Sequence, residues 1–368
     1  MQLHNEKDYV SAFNEKTGRY VRIGKDENGK AVDSDPFMGV FPELLDVGIM
    51  GHCKHGKSGL CLKAGVQCYQ SGSEIHKPNM RLEDFRSIAE QCRGRTYQFA
   101  LGGRGDPDQH EHFEEILKIC RENGIVPNFT TSGLGMTDDI ARLCKKYCGA
   151  VAVSWYRSDY THRAIDMLLR AGVKTNIHYV ISRSTVNEAL LRLQKKYRQF
   201  GNGFPDGINA IIFLLHKPRG LGTRGEMITS DNKDFSAFLQ YIDNYTFPYK
   251  IGFDSCTVPA LIGLNNTFSE SLDTCEAARW SAYISADMKM LPCSFCTEDE
   301  GYTVDLKNNT IEQAWLSEEF EKIRNKMNSA CPECPHKEFC MGGCPLMTEI
   351  VICRERMKKD EIRGRNGE

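Results

Sequence analysis

The sequence predicts an α/β fold followed by a Cys-rich C-terminal region. Six apolar runs of strand length alternate with segments whose apolar residues keep helical spacing, the pattern of strands and helices in succession. The runs are almost continuously apolar, as in strands of a parallel sheet that helices cover. Beyond about residue 255 the alternation ends and cysteines dominate. We therefore predict an extension over 1–42, an α/β domain over 43–255 and a Cys-rich domain over 256–368.

The individual elements follow in order along the chain. In the extension, 11–23 is predicted to be a hairpin, because apolar and polar residues alternate around a Lys-Thr-Gly turn. The predicted strands of the α/β domain are 44–50, 97–101, 125–130, 150–155, 175–181 and 208–215. The predicted helices are 82–89, 113–120, 137–143, 164–169 and 189–197, with Thr137 as an N-cap and Asn123-Gly124 as a C-cap. Six strand–helix units are too few for the usual eightfold barrel.

The composition excludes several classes of protein. The 368 residues are 40% hydrophobic and 26% charged, as in ordinary soluble globular proteins. The net charge of -2 gives no electrostatic reason to expect a nucleic-acid partner. No apolar run approaches the roughly 18–20 residues of a membrane span, and the polar segment 1–9 lacks the core of a signal peptide. We therefore expect the 16 cysteines to lie in a reducing cytoplasm and to serve metal binding rather than disulfides.

A dense group of cysteines near the C-terminus has the spacing C-x2-C-x5-C-x3-C. Its members are Cys331, Cys334, Cys340 and Cys344, and Cys353 follows shortly after. Soft thiolate ligands favour zinc or an iron–sulfur cluster. The group therefore predicts a metal or cluster site.

A second group, formed by Cys53, Cys61 and Cys68, follows the first predicted strand. Loops at the carboxyl ends of parallel strands are where α/β folds carry chemistry. Three thiolates would leave one iron of a four-iron cluster free to bind a cofactor or substrate. The alternative is a zinc site completed by His52 or His55, since zinc accepts mixed Cys and His ligands.

The second predicted strand ends in the glycine-rich segment Gly102-Gly103-Arg104-Gly105-Asp106-Pro107. Glycines at such a position let a ligand approach the backbone closely, and Asp106 can pair with an amine. A plain tight turn is an equally good interpretation of this segment taken alone.

Together these motifs resemble those of the radical S-adenosylmethionine (SAM) enzymes with a C-terminal SPASM domain, over roughly residues 44–355. In the SPASM pattern, Cys275 and Cys293 would precede the C-terminal group. GGRGDP resembles the family's GGEP motif, which contacts the SAM amino group, and 131–133 resembles its TNG motif. The resemblance implies a partial (β/α)6 radical SAM barrel. It implies SAM contacts at Gly102, Gly103, Asp106, Ser132 and Ser154.

The sequence departs from the family pattern at two places. The first motif is usually C-x3-C-x2-C, whereas this chain has C-x7-C-x6-C, although the aromatic residue Tyr69 after the third cysteine is kept. The inserted glycines permit tight loops, so the longer motif can still surround one cluster. Met288 stands where the SPASM pattern has glycine, which is expected to affect a turn rather than a ligand.

The resemblance also implies two auxiliary iron–sulfur clusters. One would be held by Cys331, Cys334, Cys340 and Cys353. The other would be held by Cys275, Cys293 and Cys344, with Cys296 or Cys256 as the fourth ligand or with an open position. The remaining cysteines are interpreted as buried core residues, because free Cys is often buried; they are Cys92, Cys120, Cys144 and Cys148.

Several residues at strand ends remain open to two interpretations. His178, His216, Tyr156 and Arg157 can act in the active site, but packed and hydrogen-bonded side chains are at least as good an interpretation. The basic stretch 217–224 can bind the SAM carboxylate or an acidic peptide, or it can be a solvated loop. No catalytic residue is assigned.

The implied function is reductive cleavage of SAM at the N-terminal cluster to a 5′-deoxyadenosyl radical, which abstracts hydrogen from a substrate. The resemblance favours a ribosomally made peptide or a protein side chain as substrate, with a small molecule as the alternative, and it implies an external electron donor. Sulfatase-maturing relatives have an acid where this chain has Ser294, which argues against that activity. An extension of this size leaves peptide-leader binding to the barrel, the SPASM domain or a separate protein. A non-enzymatic zinc protein is the rival from a different class.

Overall fold

The computed structural model describes residues 1–32, 36–198, 201–262, 264–266 and 272–353. Its strands are β1 (Gln2–Asn5), β2 (Tyr9–Asn14), β3 (Arg19–Lys25), β4 (Ala31–Val32), β5 (Leu44–Met50), β6 (Gln98–Gly103), β7 (Val126–Thr131), β8 (Val151–Ser154), β9 (Thr175–Ile181), β10 (Ala210–Leu215), β11 (Lys250–Phe253), β12 (Ser281–Ile284), β13 (Lys289–Leu291) and β14 (Val304–Asp305).

The helices lie mainly between these strands. They are α1 (Leu60–Lys63), α2 (Leu82–Cys92), α3 (Phe113–Glu122), α4 (Asp138–Tyr147), α5 (Asp159–Arg170), α6 (Val186–Leu193), α7 (Lys233–Asn244), α8 (Val258–Leu261), α9 (Ile311–Trp315), α10 (Glu318–Ser329) and α11 (Lys337–Cys340). In the described part of the chain, no helix is long and apolar enough to cross a membrane.

The strands form one small and one large sheet. The large sheet has the order β11-β10-β9-β8-β7-β6-β5-β12-β13-β14. Strands β5 to β11 are parallel to their neighbours, β12 is parallel to β5, and β13 and β14 run antiparallel. Because β11 and β14 end the sheet, the barrel stays open. The prediction of an α/β fold with a partial barrel is confirmed.

All six predicted strands and the five predicted helices of the α/β domain are present, with small shifts at their ends. Apolar side chains on the outer face of the sheet pack against the helices, as where the rings of Phe85 on α2 and Phe99 on β6 lie 5.9 Å apart. Thr137 caps α4 as predicted, since its hydroxyl accepts a hydrogen bond from the Ile140 amide at 3.2 Å.

The predicted hairpin 11–23 is confirmed as β2 and β3, which pair antiparallel. It belongs to a small sheet with the order β1-β2-β3-β4. This sheet packs at the amino ends of the barrel strands, where Phe13 joins Tyr97 and Val126 in one buried cluster. The opposite, carboxyl edge of the barrel is therefore left for the candidate site.

The large sheet continues across residue 255. Strand β11 lies just before this position, whereas β12, which comes after it, pairs with β5 in the middle of the sheet. The proposed boundaries at 42 and 255 remain predictions. The strands of the Cys-rich region share the sheet of the α/β domain, so the cysteines of both regions lie on one framework.

Candidate cluster and cofactor site

The structure brings the first three cysteines together after β5. A Cβ added at Gly72 would lie 3.5 Å from the Cys68 sulfur and 3.8 Å from the Cys53 sulfur, so these two sulfurs face one point. The Gly72 amide also donates a hydrogen bond to Cys68 Sγ at 3.4 Å. Backbone donors of this kind stabilise a thiolate.

Cys61 completes the group from the short helix α1. Its sulfur lies 3.4 Å from the hydroxyl oxygen of Tyr156, which follows β8. Burial raises the pKa of the Cys61 thiol to about 11; Tyr156 lowers it, and the nearby Cys68 and Cys53 raise it further. Cys61 therefore lies in the electrostatic field of Cys53 and Cys68, although 7 and 6 residues separate the successive cysteines along the chain.

The chemistry of this donor set fits an iron–sulfur cluster. The three donors are soft sulfurs, which such clusters require. The two histidines that could complete a zinc site have other contacts: His55 Nε2 lies 3.2 Å from an Asp106 carboxylate oxygen, without hydrogen-bond geometry, and the ring of His52 packs 4.6 Å from that of His76. Among the described residues, no three His, Cys, Asp or Glu side chains are arranged to hold a single metal ion.

The glycine-rich turn after β6 packs closely against the cysteine loop. Gly103 has φ of 109°, and a Cβ there would meet the Met50 carbonyl oxygen at 2.4 Å. At Gly105 a Cβ would meet the His52 carbonyl oxygen at 2.7 Å. At Gly102, in contrast, no atom of the described residues lies within 4 Å of the corresponding point. The turn therefore does more than reverse the chain. Gly103 and Gly105 let it pack closely against the Cys53 loop, and Gly102 borders open space.

Asp106 links this turn to the end of β7. Its carboxylate accepts hydrogen bonds from the Ser132 amide at 2.7 Å and from the Ser132 hydroxyl at 2.5 Å. Ser154 ends β8, where it pairs in register with His178 of β9. The five predicted SAM-contact residues therefore all lie at the carboxyl edge of neighbouring strands, and their contacts with SAM remain predictions.

The basic loop after β10 holds the third cysteine in place. Gly220 has φ of 57° and approaches so closely that a Cβ there would lie 2.4 Å from the Tyr69 carbonyl oxygen, while the Leu221 amide donates to the Cys68 carbonyl at 2.9 Å. Lys217 pairs with Asp254 and Arg219 with Glu300, each at 2.5 Å. The backbone contacts and the two ion pairs therefore anchor this loop, while Gly220, Thr223 and Arg224 are exposed to solvent; its binding role stays a prediction.

Among the strand-end residues, Arg157 and His216 make packing contacts, whereas His178 faces the barrel interior. Arg157 has φ of 52° and bonds the Ala64 carbonyl oxygen, Glu188 at 2.7 Å and the Tyr179 hydroxyl at 3.1 Å, so it fixes the C-terminal end of α1. His216 is buried and its Nε2 donates to the Thr223 carbonyl at 3.0 Å, as expected for a packed histidine. His178 faces the barrel interior, with its Nδ1 3.2 Å from the Thr130 hydroxyl, and burial lowers its pKa to about 4.

A second cysteine group assembles from distant parts of the chain. Cys344 and burial raise the pKa of the Cys256 thiol well above its ordinary value. Burial first, and then Cys256 and Cys293, raise the pKa of the Cys275 thiol. These four thiols therefore lie close together. Cys296 differs, because its sulfur bonds the Thr297 carbonyl at 3.6 Å and contacts Glu300.

The third group lies in the C-terminal segment. A Cβ added at Gly342 would lie 3.5 Å from the Cys331 sulfur. Burial raises the pKa of the Cys340 thiol to about 11, the amides of Gly342 and Gly343 lower it, and Cys353 and Cys331 raise it. A cavity of about 590 Å³ adjoins this group; three of the predicted ligands line it, namely Cys334, Cys340 and Cys353. Thiols around such a space fit a cluster.

Two further predictions concern the turn at Met288 and the four cysteines that were interpreted as core residues. Met288 lies in the turn between β12 and β13, as predicted, and its backbone there is left-handed, with φ of 66°. Among the cysteines interpreted as core residues, three are buried and Cys148 is half-buried at the end of α4; the three are Cys92, Cys120 and Cys144.

Sequence reasoning missed Asp46, which lies in the middle of β5. Its register partners are Ala100 on β6 and Tyr283 on β12, and burial raises its pKa to about 6. The negative charge of Asp46 also raises the pKa of the Cys293 thiol and of Tyr69. An acidic residue within an otherwise apolar strand was the available signal, since such groups cluster at functional sites.

Comparison with known proteins agrees with this arrangement. Residues 275–335 match the SPASM family, described as an iron–sulfur cluster-binding domain. The structure is similar to that of Streptococcus suis SuiB bound to its precursor peptide SuiA, with a TM-score of 0.64 and 16% identity over 86% of this chain and 77% of SuiB. It is similar to SuiB bound to S-adenosylmethionine, with a TM-score of 0.62 and 15% identity over 83% of this chain and 73% of SuiB.

A further similar structure is that of native anSMEcpe with bound AdoMet and the Cp18Cys peptide, with a TM-score of 0.58 and 16% identity over 82% of this chain and 89% of anSMEcpe. The chain thus has the fold of SAM-binding radical SAM enzymes with a SPASM domain, and it carries that domain itself. The resemblance predicted from the motifs is confirmed at the level of fold and domain.

Proposed function

We propose that this protein is a radical SAM enzyme that acts on a peptide or protein side chain. The observation that carries the proposal is the meeting of Cys53, Cys61 and Cys68 with the glycine-rich turn at the carboxyl edge of a parallel sheet. This edge is where ligands bind in open α/β sheets. A SAM-bound relative with the same fold supports it.

In this proposal the three thiolates would hold a four-iron cluster, and the open space at Gly102 would admit SAM. A reduced cluster of this kind supplies the electron that cleaves SAM. The chain's own residues position the reactants: Arg157 fixes α1 and hence Cys61, Gly220 holds the Cys68 segment, and Asp106 and Ser132 join the two turns that face the ligand.

The other two cysteine groups would hold auxiliary clusters. Cys331, Cys334, Cys340 and Cys353 form one proposed ligand set, and the 590 Å³ cavity beside them supports it. Cys275, Cys293 and Cys344 belong to the other set. The contact between Cys256 and Cys344 favours Cys256 over Cys296 as its fourth ligand.

The substrate class is proposed from relatives of the same fold. SuiB was solved with its precursor peptide SuiA, and anSMEcpe with the Cp18Cys peptide. For this chain we propose a peptide or protein substrate, an external electron donor and a cytoplasmic location, with no nucleic-acid partner, since the net charge is only -2.

The test is reductive cleavage of SAM under anaerobic conditions. Reconstituted full-length protein with dithionite and SAM should release 5′-deoxyadenosine and methionine, measured by chromatography. A variant with alanine at Cys53, Cys61 and Cys68 should lose this activity and about four irons, because thiolates anchor the cluster. If the triple variant still forms 5′-deoxyadenosine, the proposed SAM site is wrong.

A further inference from the structure

A buried lysine lies beside the second cysteine group. The side chain of Lys217 is only 1% exposed, yet it carries a positive charge. Its ammonium donates hydrogen bonds to Asp254 Oδ2 at 2.5 Å and to the Leu215 carbonyl at 3.0 Å. The ring of Phe295 covers it, with Nζ 4.4 Å from the ring centroid. A buried charge is costly unless it is paired, and here the Asp254 carboxylate pairs with the Lys217 ammonium.

Both neighbours of Lys217 are close in sequence to proposed cluster ligands. Asp254 is two residues before Cys256, and its other oxygen accepts a hydrogen bond from Thr257 at 2.7 Å. Phe295 is two residues after Cys293. Lys217 therefore contacts both the segment that carries Cys256 and the segment that carries Cys293.

Lys217 and Asp254 carry opposite charges beside the two cysteines. Lys217 lowers the pKa of the Cys256 thiol and Asp254 raises it, while Cys344 and burial keep that pKa high. At Cys293, burial raises the pKa to about 12, and Lys217 opposes the rise. The Asp46 carboxylate, in contrast, raises the pKa of the Cys293 thiol. Near Cys275, Arg279 is a second cation.

We infer that Lys217, oriented by Asp254, is a positioning residue that raises the reduction potential of the auxiliary cluster held by Cys256, Cys275, Cys293 and Cys344. This inference rests on the proposed function, because it presupposes that cluster. Reduction adds a negative charge to the cluster, and a buried cation beside its ligands stabilises that charge. Net charge and surroundings are among the main determinants of such potentials. In a low-dielectric interior the effect is not screened by water.

The experiment is a potentiometric titration of the reconstituted full-length protein, followed by low-temperature electron paramagnetic resonance. The reduction wave of the SAM-binding cluster is identified by its change on addition of SAM, which leaves two waves for the auxiliary clusters. Lys217→Met should lower the potential of one of these waves and leave the other unchanged. Asp254→Asn should raise the potential of the same wave, because it removes the opposing negative charge.

The two variants break the same ion pair, so a purely structural role would move both potentials in the same direction. Thr257→Val is the matched control: it removes a hydrogen bond to Asp254 without changing charge, and its potential should stay near the wild-type value. Absence of any shift, or shifts of the same sign in Lys217→Met and Asp254→Asn, would overturn the inference.

Iron content separates this result from a failure of the proposed function. About twelve irons per wild-type chain with no shift in the variants would refute the role of Lys217 alone. A wild-type chain without iron would refute the proposed function and this inference with it. If Lys217→Met loses the cluster on purification, the direction of the shift in Asp254→Asn still decides the question.

Discussion

Substitution of Gly103 by alanine should destabilise the site through the backbone. The residue has φ of 109°, which L-amino acids avoid, and its new Cβ would lie 2.4 Å from the Met50 carbonyl oxygen. That oxygen also accepts a hydrogen bond from the Arg104 amide at 2.8 Å, which would be lost as it moves. Backbone strain of about 1–3 kcal/mol and a hydrogen bond worth about 0.5–1.5 kcal/mol give a loss of roughly 2–4 kcal/mol.

Gly102 provides a matched control in the preceding position. Within the described part of the chain a Cβ there meets no atom within 4 Å, and the φ of Gly102 is not positive, so Gly102→Ala should leave the stability of the protein unchanged. The same methyl group would project into the space proposed for SAM. Since overpacking costs about 1–3 kcal/mol, we expect SAM affinity to fall about tenfold or more.

The assays are thermal unfolding of the protein and calorimetric titration of reconstituted protein with SAM. At roughly 2–4 °C per kcal/mol, Gly103→Ala should lower Tm by about 4–16 °C, whereas Gly102→Ala should weaken SAM binding without a change in Tm. A Gly103→Ala protein as stable as the wild type would refute the conclusion that the turn requires glycine at this position. Unchanged SAM affinity in Gly102→Ala would refute the placement of SAM.

Three further predictions concern the cysteines and the barrel interior. Cys256→Ala should lose about four irons per chain whereas Cys296→Ala keeps them all, as measured by iron analysis; the reverse result would make Cys296 the ligand. Cys334→Ala should lose about four irons yet retain reductive cleavage of SAM, because its cluster lies apart from the SAM site; complete loss of cleavage in a folded variant would contradict this. Burial lowers the pKa of His178 to about 4, so the unfolded chain binds a proton between about pH 6.5 and 4 that the native protein does not. The stability of the apoprotein should therefore decrease as the pH is lowered from about 6.5 to about 4, and His178→Gln should weaken this pH dependence. An unchanged pH dependence in denaturant titrations of His178→Gln would contradict the prediction.

The regular part of the fold was predictable because its apolar periodicity is strong. The strands Leu44–Met50 and Thr175–Ile181 have the predicted limits. Strand β11, with the sequence Lys-Ile-Gly-Phe, was missed because it is short, contains glycine and has no fully buried residue. Strands β12 to β14 are also short, and their place in the large sheet depends on pairing between β12 and β5, which are distant in sequence.

The candidate site shows a similar division. Spacing along the chain was enough to find the cysteine groups, since ligand chemistry requires thiols in clusters. Spacing could not choose between Cys256 and Cys296, because the deciding contact is with Cys344. The left-handed backbone at Met288 was equally hidden, since a non-glycine residue there gives no sequence signal. Contacts that depend on tertiary structure, such as the pair of Lys217 with Asp254, lie beyond motif reasoning.

Metal analysis of the anaerobically purified and reconstituted full-length protein tests the central claim most directly, because three iron–sulfur clusters underlie the proposed chemistry. Iron and acid-labile sulfide should be determined together with zinc on the same sample. We predict about twelve irons and about twelve sulfides per chain, a brown colour and little zinc. Stoichiometric zinc without iron would contradict the account and favour a structural zinc protein.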